Sequence, residues 1–133
     1  MTPTMILFVI GAAVIGPVVI YIAAAKKRVG SPALAAALSA GFAAFTAVTI
    51  AAEGVWPVIV NHSTNLWGIQ VWYDLLISVG TALFLVMPRA RAAGMQVWPW
   101  VVFVALTASI GLLAMVAQLF WLERAAAGAG APK

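Results

Sequence analysis

The chain has 133 residues, of which 65% are hydrophobic and 8% charged, against the roughly 45–50% apolar and 25% charged usage of soluble domains. Three acids and seven Lys and Arg, net +4, cannot clothe a soluble surface, and cations scattered at the ends of apolar runs form no nucleic-acid face. The absence of cysteine excludes disulfides, thiolate metal sites, iron–sulfur clusters and cysteine nucleophiles.

A helix needs about 20 apolar residues to cross a hydrocarbon layer of about 30 Å, and four stretches qualify. The first, about 4–25, carries no charge, holds Gly16-Pro17 where a kink is expected, and stops at Lys26, Lys27 and Arg28. Its positive cluster follows the apolar run, whereas a cleaved signal peptide carries positive charge before a shorter run; it is read as a retained anchor. The second, about 33–60, follows Ser31 as N-cap and Pro32 at the first helical position. It is rich in Ala, Ser, Gly and Thr, and Ala37-x-x-x-Gly41 predicts a close helix contact. The third, about 66–87, ends at Pro88 before a short turn holding Arg89, Arg91 and Gly94. The fourth, about 97–121, ends at Glu123-Arg124, and residues 125–133 read as a flexible tail beyond a membrane domain spanning 1–124.

The fold class expected is an all-α membrane protein, a four-transmembrane-helix up-down-up-down bundle with both termini outside. The side follows from the cations: Lys26, Lys27, Arg28, Arg89 and Arg91 fall at one end, Arg124 and Lys133 at the other, and the richer end is cytoplasmic by the positive-inside rule. Trp56, Trp67 and Trp121 then mark the outer interface, and Trp98 and Trp100 the inner one.

In that arrangement all three acids gather toward the outer half. Asp74 lies seven residues inward of Trp67, about 10 Å deep at helical rise, where a carboxyl costs up to about 2.5–3.5 kcal/mol if it meets lipid. It is expected to turn inward, as a proton-bearing acid, toward Thr49, Gln118, Tyr73, Ser78 or His62, since no cation shares its depth. The structural reading makes Asp74 a helix-joining hydrogen-bond donor, with Ala37 and Gly41 supplying close packing. The functional reading pairs Asp74 with Glu53 as acid and base in an outward-facing pocket. Glu53 beside Gly54 reads as snorkelling at a helix end, and His62 as a solvated loop residue. One His and no Cys offer too few ligands for haem or a metal, so no cofactor or metal is expected.

From Asn65 onward the order of features resembles the small uncharacterised bacterial membrane proteins grouped as domain of unknown function 2834. The resemblance rests on Asn65, then Asp74-Leu75-Leu76-Ile77-Ser78, Arg91, Gly94-Met95, Trp98 and Leu122-Glu123-Arg124. It covers the C-terminal half best, and the helix of Met1 to Arg28 looks like an addition. Where that family carries LPLFLYLR before its C-terminus, Met115 to Arg124 read MVAQLFWLER without a proline. The resemblance implies a multi-pass protein of a bacterial cytoplasmic (inner) membrane and names no reaction.

These residues admit three functions. The first is a non-enzymatic accessory or assembly subunit that packs against partner transmembrane helices, as a homo-oligomer or within a larger membrane complex. The second is an outer-leaflet lipid or isoprenoid enzyme using Asp74 and Glu53. The third, a small proton-coupled exporter, lacks an ionisable residue in the first span. Membrane lipids are the other expected partners.

Overall fold

The computed structural model describes residues 2–25 and 30–129, and among these every regular element is helical. Lys26, Lys27, Arg28 and Lys133, on which part of the expected orientation rests, lie outside the described residues, as does the last part of the expected tail. Four helices are long and apolar enough to cross a membrane: Pro3–Ala24, Pro32–Glu53, Leu66–Ala92 and Ser109–Ala129. The chain divides into two units, Met1–Gly30 and Ser31–Lys133.

The first unit is one helix, α1 (Pro3–Ala24), capped by the Thr2 hydroxyl accepting from the Met5 amide at 3.3 Å. Pro17 sits inside it without ending it. None of its residues is buried, and an apolar helix of this length suits a bilayer, where its backbone groups are satisfied internally.

The second unit begins with α2 (Pro32–Glu53), and the expected start is met: Ser31 Oγ accepts from the Leu34 amide at 3.3 Å, with Pro32 at the first position. The expected run to Val60 is interrupted at Gly54, whose φ of +81 ends the helix, and a separate short α3 (Trp56–Ser63) follows. Residues 61–63 are therefore helical instead of a polar loop. Asn65 then caps α4 (Leu66–Ala92), its Oδ1 accepting from the Gly68 amide at 2.9 Å. Gly68 lies against the Asn61 backbone, so closely that a Cβ there would collide with the Asn61 carbonyl.

Pro88 does not end α4, which continues to Ala92. Its stop is a backbone motif: Gly94 (φ +75) takes the left-handed conformation, Met95 N donates to Ala90 O at 3.0 Å, and Gly94 N to Arg91 O at 3.0 Å. These are the 6→1 and 5→2 bonds of a Schellman cap, whose accompanying apolar contact joins the residues at its two ends. Here those residues are Met95 and Ala90, both buried in the same cluster as Met115 and Leu119.

The segment expected as one fourth span is two helices, α5 (Val97–Thr107) and α6 (Ser109–Ala129), parted at Ala108 with φ 48 and ψ −115. A continuous helix would carry Glu123 about 39 Å from Val97. Instead Arg89 Nη2 stands 2.8 Å from Glu123 Oε2, so α6 folds back along α5. The hairpin's core is Met115 and Leu119 of α6 against Ala90 and Met95, with Leu83, Val86, Val97 and Trp100 around them. α2 joins the other side of α6, burying Ala35 and Ser39, and Ser39 Oγ donates to Ile110 O at 2.9 Å.

The hairpin corrects two expectations. Glu123 and Trp121 lie with the Arg89 end of α4, not at the opposite end, and the three acids do not share one half of the molecule. α6 itself runs through Ala129. Sequence hydropathy measures how much of a segment is apolar and is indifferent to a reversal inside it.

Candidate functional site

The reversal is built from backbone chemistry that suits an apolar surrounding, where every N–H and C=O needs an internal partner. Ala108 N donates to Val104 O at 2.7 Å and Leu112 N to Ala108 O at 3.0 Å. The Thr107 hydroxyl spans the break, donating to Phe103 O at 2.7 Å and accepting from Gly111 N at 3.0 Å. Gly111 is buried there, and a Cβ on it would stand 2.7 Å from Thr107 Oγ1 and 2.9 Å from the carbonyl carbon and oxygen of Phe103. Only glycine lets the two helices approach so closely.

At the open end of the hairpin, Arg89 grips Glu123 through both arms, Nε to Oε1 at 3.0 Å and Nη2 to Oε2 at 2.8 Å. The guanidinium also stands 5.6 Å from the centre of the Phe120 ring. Nothing in the residue types announced this pair, since the ladder of spans put its members at opposite faces. No residue type marks the break at Ala108, which stops α5 after 11 residues, about 16 Å or half a hydrocarbon layer.

The sequence-predicted residues separate instead of converging. Asp74 is exposed on α4 and makes no hydrogen bond to another described residue. It lines a surface groove of about 350 Å³ with Trp67, Gln70, Val71, Tyr73 and Ile77, all from α4 itself. Tyr73 thus shares its groove, while the Ser78 side chain, one turn along, is exposed and makes no hydrogen bond to another described residue. Thr49 turns its hydroxyl to its own helix, donating to Phe45 O at 2.9 Å. Gln118 is exposed on α6 and lines no part of the Asp74 groove. Glu53, exposed at the end of α2, does not line that groove.

Among the described residues of this chain, Ala37 and Gly41 make no close helix contact. Both are exposed and a Cβ on Gly41 would meet nothing within 4 Å. The packed face of α2 carries Ala35 and Ser39 instead, two positions away and hence about 200° round the helix at 100° per residue. The Ser39 bond to Ile110 O fixes that rotation.

His62 lies at the α3–α4 corner, Nδ1 at 2.6 Å from Val58 O and its ring tilted against Trp72 at 5.7 Å. The bond to a carbonyl makes Nδ1 the proton-bearing nitrogen. With Val58, Ile59, Ser63, Ile69 and Trp72 it lines an apolar groove of about 220 Å³. Among the described residues no cluster of three His, Cys, Asp or Glu is placed to hold a metal ion.

The candidate site is therefore a polar face on α4, exposed and unanswered among the described residues, at some distance round the helix from a hairpin clasped by Arg89 and Glu123. No family model, no curated protein and no solved structure matches this chain.

Proposed function

We propose that the chain is a small multi-pass integral membrane protein of a bacterial cytoplasmic membrane, acting as a non-enzymatic assembly subunit whose open α4 face receives a partner transmembrane helix. The observation that carries this reading is Asp74: its side chain is exposed, makes no hydrogen bond to another described residue, and lies eight residues into a 27-residue apolar helix. A carboxyl facing acyl chains at that position costs on the order of 1–3 kcal/mol, depending on depth. A polar contact from another helix removes that cost.

In the same reading α5 and α6 form a re-entrant hairpin. α5 reaches about half-way through the layer, and α6 returns to the Arg89 side, so the end of α6 lies on the face of the Arg91 turn. The cations Arg89 and Arg91 at that turn support a cytoplasmic side for this face by the positive-inside rule.

The test is a photo-reactive residue at Ser78, activated in native membranes. A covalent adduct with another polypeptide is expected, retained by Asp74→Asn and reduced about threefold or more by Asp74→Leu, the loss expected for one interhelical hydrogen bond of about 0.6 kcal/mol. Only lipid adducts at Ser78, unchanged by Asp74→Leu, would remove the assembly role.

A further inference from the structure

The polar character of α4 is not confined to Asp74. Gln70, Asp74, Ser78 and Thr81 are all exposed, and none makes a hydrogen bond to another described residue. Spaced four, four and three apart, they form one stripe along the helix. The opposite side of α4 carries Leu83, Val86 and Ala90 into the hairpin core. At 100° per residue the stripe lies about 160–170° from that packed side, so a helix docked on the stripe leaves the hairpin untouched.

We infer that this stripe is the interface of a parallel homodimer, α4 against α4. The inference rests on the assembly reading above and names the occupant. Two copies of one chain in a membrane share an orientation, so the two-fold axis that relates them stands along the membrane normal. Their α4 helices are then parallel, and each residue meets its own counterpart at equal depth. Such an interface accepts groups that serve as donor and acceptor at once, or a donor and an acceptor one turn apart that cross-pair. The Gln amide and the Ser and Thr hydroxyls are of the first kind, and no cation occurs in the stripe. Gln70 and Asp74 are of the second: each Asp74 carboxyl accepts from the Gln70 amide of the other copy. A partner helix bearing Lys or Arg answers Asp74 alone and gives the other three members no reason to align.

The chain's lack of cysteine makes the test direct. Single substitutions Gln70→Cys, Ser78→Cys and Thr81→Cys, with Leu76→Cys as an exposed control off the stripe, are purified, diluted into phosphatidylcholine–phosphatidylglycerol vesicles and oxidised. Disulfide-linked dimer is expected at the three stripe positions, at least fivefold above the Leu76→Cys control. In parallel, energy transfer between labelled copies measures association. Asp74→Asn is expected to stay within twofold of the parent chain, and Asp74→Leu to weaken association about eightfold, threefold for each of two symmetry-related bonds. Uniform or absent cross-linking, or unchanged association in Asp74→Leu, overturns the homodimer. The Ser78 photo-adduct in native membranes separates the two readings. An adduct to a different polypeptide without self-association refutes the second copy and keeps the assembly role. A lipid-only adduct with no dimer refutes both.

Discussion

The clasp between Arg89 and Glu123 decides the course of the last third of the chain, and its strength follows from its geometry. Two parallel hydrogen bonds of 3.0 and 2.8 Å join side chains that are 41% and 26% exposed. Gross attraction between unit charges about 4 Å apart at an effective dielectric of 20 is about 4 kcal/mol. Desolvation and the ordering of two long side chains consume much of it, leaving 0.2–1 kcal/mol for exposed pairs. A bidentate, half-buried pair belongs above that range, so a coupling of about 1–2 kcal/mol is expected. The assay is a double-mutant cycle, Arg89→Gln, Glu123→Gln and both together, by reversible unfolding in mild detergent. Arg89→Gln should cost about 0.5–1 kcal/mol more than Glu123→Gln, because it also removes the cation from the Phe120 ring. Exchange of the two residues, Arg89→Glu with Glu123→Arg, should recover part of the loss. A coupling below about 0.3 kcal/mol, together with failure of a long bifunctional thiol cross-linker to join Arg89→Cys to Glu123→Cys, would refute the hairpin and restore a continuous final span.

Other perturbations probe the turn and its seams. Gly111→Ala forces a methyl against the Phe103 carbonyl and should destabilise by about 1–3 kcal/mol, seen as a lower unfolding midpoint; an unchanged midpoint would mean that the helices are not in backbone contact. Ala108→Gly relieves a positive φ that costs about 1–3 kcal/mol, against about 0.5–1 for the added freedom of glycine, so a net gain of up to about 2 kcal/mol is expected in the same assay. Ser39→Ala loses the bond to Ile110 O and should cost about 1 kcal/mol, whereas Gly41→Ala, which meets nothing within 4 Å, should cost nothing. Thiol labelling of Arg91→Cys and Ala126→Cys in sealed vesicles should find both on one face; opposite faces would contradict the re-entrant course.

Much of this molecule was legible as a string of residues. Scarce charge and long apolar runs dictated a helical membrane protein, and local chemistry marked the start of α2, where Ser31 and Pro32 act over one turn and depend on nothing distant. The cap at Asn65 and the stop at Gly94 are equally local, though the sequence pattern ends the helix at Pro88, where a proline removes one hydrogen bond that a well-packed helix tolerates. The depth of Asp74 in an apolar segment was also readable; the face it occupies was not.

What tertiary structure alone decided is direction and rotation. An all-round apolar segment carries no period to say which side packs, so the choice of Ala35 and Ser39 over Ala37 and Gly41 waited on the partner that Ser39 found. Ala108 is a good helix former with nothing in its side chain to signal a break. The reversal there is held by Thr107, by the missing side chain of Gly111, and by Arg89 meeting Glu123 across 34 residues of sequence. Such contacts exist only once the chain has turned, because hydrogen bonding and packing act between surfaces that sequence order does not place together.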